Sequence, residues 1–193
     1  MVMIDLITGF LGSGKTTFLK KYAEYLMDQG LHIGILENDF GAINVDMLML
    51  HELRGDQCEL EMIAGGCDAE SHRRRFRTKL ISMRMCGYDR VLVEPSGIYD
   101  VDEFFDVLRE EPLDQWYEIG NVIAILDARL EKNLSQQADY LLASEAANAG
   151  KVILSHADAA TREQCEDTVA HLNRALEPVS YTHLRAHETD SYL

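Results

Sequence analysis

A chain of 193 residues with 47% apolar and 26% charged side chains is long enough for one well-buried domain and short for two. Its formal net charge of −15 disfavours broad contact with nucleic acid or an anionic membrane surface, whose phosphates would be repelled. No apolar run is long enough to span a membrane, the first residues lack a secretory-signal layout, and Cys58, Cys67, Cys86 and Cys165 show no C-x-x-C spacing, so reduced thiols in a cytoplasmic protein are expected.

The chain opens on Val2 to Ile7, a short apolar run broken only by Asp5 and read as a buried strand. It leads into Gly9-Phe10-Leu11-Gly12-Ser13-Gly14-Lys15-Thr16-Thr17, which satisfies G-x-x-x-x-G-K-[ST]. Phe18, Leu19, Tyr22 and Leu26 follow at helical spacing. Strand, glycine-rich turn and helix in that order make a phosphate cradle. The glycines allow close backbone approach, and the amides of Gly9, Gly12, Ser13, Gly14 and Thr17 with the helix N-terminus face an anion. Lys15 reaches the β- and γ-phosphates, and the Thr16 hydroxyl ligates Mg²⁺. This pattern predicts a nucleoside triphosphate site.

Gly30 closes the first helix, and Leu31 to Leu36 reads as a second strand ending in Glu37-Asn38-Asp39-Phe40-Gly41. Met47 to Leu53 suggests a short helix, and Cys58 to Ile63 a strand that ends at Gly65-Gly66-Cys67. Arg73, Arg74, Arg75, Arg77 and Lys79 lie on the next helix as a solvated basic face, opposite Phe76, Leu80 and Met83. Arg90 to Val93 is a strand stopped by Glu94-Pro95-Ser96-Gly97, since proline cannot donate to a ladder. A helix over Asp102 to Arg109, a strand over Val122 to Leu126 closed by Asp127, and a helix from Tyr140 towards Gly150 come next. Val152 to Leu154 leads to Ser155-His156-Ala157-Asp158, and Thr161 caps a last helix reaching Leu176. Such alternation predicts an α/β fold, a three-layer P-loop arrangement with a mainly parallel central sheet flanked by helices. Ligands in such sheets bind beyond the carboxyl ends of the strands.

The P-loop with Thr17, Asn38-Asp39-Phe40-Gly41, Gly65-Gly66-Cys67, Glu94-x-x-Gly97 and the strand ending in Asp127 together resemble the CobW/HypB/UreG GTPases, with the CobW branch closest in pattern. The resemblance covers Met1 to about Pro178. It implies GTP as nucleotide, Mg²⁺ as cofactor, and hydrolysis coupled to delivering a metal or metal cofactor to a client metalloprotein, with a homodimer as a compatible assembly. It also implies that Lys15, Asp39 and Glu94 serve catalysis, with Thr16, Asp39 and Glu94 around Mg²⁺ and Gly97 beside the γ-phosphate. Two motifs depart from the family pattern. The usual C-x-C-C is reduced to Cys67 followed by Asp68, Ala69 and Glu70, leaving Cys67 and His72, with Asp68 and Glu70 beside them, as candidate ligands for Zn²⁺ or another transition metal. The usual N-K-x-D is Ser155-His156-Ala157-Asp158, so only Asp158 remains to read a guanine. Two competing readings stay open: an ATP-dependent P-loop kinase or synthetase, and a nucleotide-dependent binding module with negligible turnover. Val179 to Leu193 matches neither the apolar pattern nor the family. It reads as translated adapter sequence, which makes residues 1–178 a nucleotide-binding domain cut short at its C-terminal end and 179–193 a tail outside the core.

Overall fold

The computed structural model describes the chain except residues 11, 40–44, 65–68, 96–100, 132–133 and 190–193; at 38–39, 45–47, 64, 69 and 178–189 it describes the backbone alone. The elements in order are β1 (Val2–Gly9), α1 (Lys15–Asp28), β2 (Ile33–Asp39), α2 (Val45–Leu50), β3 (Cys58–Ala64), α3 (Ala69–Met85), β4 (Arg90–Pro95), α4 (Val101–Leu108), α5 (Leu113–Trp116), β5 (Tyr117–Asp127), α6 (Gln136–Ala147), β6 (Lys151–Ser155) and α7 (Arg162–Thr189). A 3-10 turn over His51–Leu53 extends α2. The strands form one six-stranded sheet in the order β3-β2-β4-β1-β5-β6. Every neighbouring pair is parallel, as crossover connections through helices require.

Alternation along the strands builds the three layers. Ile7, Ile33, Ile35, Leu92 and Ile125 face Leu19, Ala23 and Leu26 of α1. Ile4, Leu6, Leu36, Val91 and Val93 face the opposite way, onto Phe76 and Leu80 of α3 and Phe104 of α4. Ala124 and Leu126 continue that face under Leu142 of α6 and Leu172 of α7. The expected basic face of α3 is largely paired: Arg73 and Arg77 both bond Glu110, and Lys79 bonds Glu61.

Two elements run further than their sequence pattern. The predicted strand at Val122 to Leu126 begins five residues earlier, at Tyr117. Gly120 and Asn121 hide that extension from the apolar pattern, and both are there because of Asp5. The register between β1 and β5 shifts between Ile4 and Leu6, and the Asn121 amide donates to Asp5 Oδ1 at 2.6 Å. A Cβ on Gly120 would overlap that same carboxylate oxygen, so only glycine fits there. Asp5, fully buried, also accepts from Arg90 at 3.0 Å and from the Tyr22 hydroxyl at 2.8 Å, tying β1, β4, β5 and α1 together. The last helix likewise continues past Leu176 to Thr189, so the backbone of most of the expected tail is helical. No glycine follows in that stretch to stop it.

Candidate nucleotide site at the carboxyl edge of the sheet

The carboxyl ends of β1, β2, β4 and β6 converge on the turn between β1 and α1. Gly9 holds φ at 143°, and a Cβ there would collide with the Ile125 carbonyl, so the strand can lie against β5 only because this residue is glycine. Gly14, in the left-handed region, caps α1, and the Ser13 amide closes the turn onto the Phe10 carbonyl at 3.1 Å. Lys15 is 7% exposed, and its Nζ donates to the carbonyls of Gly9 at 2.9 Å and Phe10 at 3.3 Å. The ammonium therefore arches over the loop whose amides would face a phosphate. Ser13 Oγ is buried with no hydrogen-bond partner among the described residues, a hydroxyl that a phosphate oxygen would satisfy. Gly12 and Thr17 lie exposed at the rim.

One turn into α1, the Thr16 hydroxyl donates to Glu94 Oε1 at 2.8 Å. Glu94, 4% exposed, is delivered by the end of β4. Its register partner on β2 is Glu37, also buried. Alternation puts Glu37 on the same sheet face as Ile33 and Ile35, the face α1 covers, and puts Glu94 with Leu92. The sequence pattern pointed to Asp39 and passed over Glu37. Period-two spacing from the apolar Ile33 and Ile35 was the signal that could have found it. Asp39 closes β2, with its side chain outside the described residues, as is the whole of Gly97. Threonine hydroxyl and carboxylate oxygens form a hard, oxygen-only donor set beside a phosphate cradle, and that set fits Mg²⁺.

The loop after β6 passes the other side of the cradle. Ser155 Cβ and His156 Cε1 lie 3.6 and 3.7 Å from where a Cβ on Gly14 would stand. His156 adopts φ 52°, an uncommon conformation for a non-glycine residue. Its Nδ1 meets Asp127 Oδ2 at 3.0 Å, while Arg129 donates to Asp127 through its amide and its guanidinium. Burial works against ionisation of Asp127, but the hydrogen bonds and charges of Arg129 and His156 outweigh it and hold its carboxyl below its ordinary value. Asp127 thus orders the loop that carries the base-reading candidate, and Asp158 itself is exposed three residues beyond Ser155.

Of the second proposed metal pair, only His72 falls among the described residues. Cys67 lies outside the described residues, and His72 is buried with Nδ1 at 2.9 Å from Glu103 Oε1 on α4. Among the described residues no three His, Cys, Asp or Glu side chains group as a metal site. A further carboxylate escaped the sequence reading altogether. Glu145 on α6 is 2% exposed and packed beside Gly9 and Phe10.

The model of the CobW/HypB/UreG nucleotide-binding domain matches residues 3–181. The chain belongs to that family. It is 28% identical to the zinc chaperone YjiA of Escherichia coli (strain K12) over 196 residues, covering 94% of this chain and 58% of that protein. It is 31% identical to the zinc chaperone YeiR of the same organism over 157 residues, covering 78% of this chain and 47% of that protein. The chain thus spans about half the length of these curated relatives. Solved structures agree on the fold. The Zn(II)-bound YjiA GTPase from E. coli aligns at TM-score 0.54 and 21% identity over 89% of this chain and 56% of its own. The signal recognition particle receptor FtsY from Elizabethkingia anophelis in complex with GDP aligns at 0.60 and 20% over 89% and 54%. The six-stranded parallel sheet with helices on both faces is the P-loop fold that the sequence of this CobW-family domain predicts.

Proposed function

We propose that this CobW-family domain binds GTP with Mg²⁺ and hydrolyses it, as the nucleotide-driven part of a protein that delivers metal to a client metalloprotein. The observation that carries the reading is the Thr16–Glu94 hydrogen bond at 2.8 Å directly beneath a P-loop whose lysine is already arched over it. Thr16 and Glu94, with Asp39 at the end of β2, would hold Mg²⁺, which neutralises phosphate charge when bound. Lys15 and the loop amides position the β- and γ-phosphates and oppose the charge that builds up as the γ-phosphoryl leaves. Glu94, on the strand that leads to Gly97, senses the γ-phosphate end of the site and orients the attacking water. Zinc as cargo rests on relatives named zinc chaperones, and Cys67 with His72 is its candidate holding point.

Hydrolysis is tested by phosphate release from GTP in the presence of Mg²⁺. Glu94→Gln is expected to lower turnover at least about tenfold and to weaken Mg²⁺–GTP binding by a smaller factor, because beyond its part in holding Mg²⁺ it acts on the attacking water in the transition state. No release from the parent chain under conditions of full occupancy would favour the non-hydrolysing binding module instead.

Base choice rests on Asp158. Its carboxylate can accept from N1–H and the exocyclic amine of guanine, whereas adenine presents an acceptor at N1 and no donor at C2. Ser155 lacks the reach of the family's asparagine and already donates to the Leu126 carbonyl at 3.3 Å. His156, held by Asp127, has no long aliphatic stem. GTP should therefore beat ATP by only about 1–3 kcal/mol, the scale of one unsatisfied group. Asp158→Asn should erase the difference in competition binding. A preference that survives this substitution would remove Asp158 from the base site.

A further inference from the structure

Glu145 is a buried acid that the hydrolytic scheme does not use. It points from α6 into a small cavity lined by Gly9 at the end of β1 and Phe10 just after it, by Leu126 of β5, Val152 of β6 and Leu172 of α7. Its Oε2 is buried with no hydrogen-bond partner among the described residues. Lys15 of α1 is the charge that bears on it, and among the described residues Glu145 is the one titratable side chain lining the cavity. The nearby titratable pairs are satisfied elsewhere: Asp139 of α6 by His171 of α7, and His156 by Asp127. Lys15 Nζ donates to the carbonyls of Gly9 and Phe10, two of the residues that line this cavity, so the same turn of backbone holds the ammonium and borders the carboxyl.

We propose that Glu145 is a positioning residue of the P-loop, held there as the neutral acid, and that a nucleoside triphosphate binds tightly only while it stays protonated. This rests on the triphosphate reading of the site. Burial pushes the Glu145 carboxyl up to about 8, and the Lys15 ammonium opposes part of that rise. Ionised, Glu145 would draw Lys15 back towards the cavity and put a negative charge beneath the phosphates. A bound triphosphate acts in the opposite sense. Its charge disfavours the carboxylate and engages the ammonium, so the complex holds the proton more tightly than the free protein. Affinity is then steady below about pH 8 and falls as pH rises through the free protein's value. A glutamate that merely filled space in the helix would affect stability and leave the pH profile of binding alone.

The test is the affinity of the full chain for a fluorescent GTP analogue with Mg²⁺ between pH 6.5 and pH 9. The parent should bind about five- to tenfold more weakly at pH 9 than at pH 7, the limit for one linked proton over this interval. Glu145→Gln should match the parent at pH 7 within about twofold and lose that extra weakening, because it keeps the shape without the titration. A pH profile shared by parent and variant overturns the role of Glu145 while leaving the P-loop reading intact. A parent that binds no analogue at pH 7 overturns the P-loop reading and this proposal with it. Independently of any variant, calorimetry of the parent at pH 8.5 in two buffers of different ionisation enthalpy should report net proton uptake on binding. Zero uptake, or release, would contradict the proposal.

Discussion

Lys15→Ala should weaken triphosphate binding by about 2–5 kcal/mol, roughly thirtyfold to several-thousandfold, while the domain stays folded. The side chain is 7% exposed and already aligned by the carbonyls of Gly9 and Phe10, so little ordering cost remains to be met on binding. Truncation leaves the phosphate charge opposed by the loop amides and Mg²⁺ without the lysine, and charge-assisted hydrogen bonds are about twice as strong as neutral ones. The fold should tolerate the change because the two carbonyls lie at the loop, where water can replace the ammonium. Titration of a fluorescent triphosphate into both proteins, with thermal unfolding as the control for folding, measures it. Equal affinities would take the phosphate cradle out of the account.

The second large effect concerns stability and lies far from the nucleotide. Asp5→Ala should cost about 3–5 kcal/mol, a large share of what a domain of this size has. Asp5 is fully buried and accepts from Arg90, Tyr22 and the Asn121 amide at once. Removing it leaves a guanidinium that is only 18% exposed without its carboxylate, and a main-chain donor without its acceptor. Tyr22→Phe should cost only about 1 kcal/mol, since the carboxylate keeps its charged partner and the β5 amide. Urea unfolding of the three proteins decides it. A loss under about 1 kcal/mol for Asp5→Ala would mean the network contributes little beyond filling space.

Glycine spacing and periodicity carry the sequence reading a long way. All six strands and the helix after the P-loop were legible, because parallel strands buried on both faces are plain apolar runs and the P-loop is a local pattern. Thr16 and Glu94 were linked only through the family resemblance, and the structure joins them by a hydrogen bond. What escaped depends on partners distant in sequence. Asp5 looked like an interruption of a strand because Arg90 and Asn121 lie 85 and 116 residues away. The first half of β5 was hidden by Gly120 and Asn121, which are explained only by that carboxylate. Glu37 was passed over for Asp39 because its importance comes from the register with Glu94 across the sheet. Glu145, in an alanine-rich helix, gave no local sign that its side would be covered by β1, β5 and α7.

The central claim is that this edge of the sheet is a guanine nucleotide site. Calorimetric titration of the chain with GTP in Mg²⁺, repeated with ATP as competitor, tests it most directly. One saturable GTP site per chain, for which ATP competes more weakly than GTP binds, is the predicted result. No saturable site, or ATP and GTP binding equally well, would contradict it.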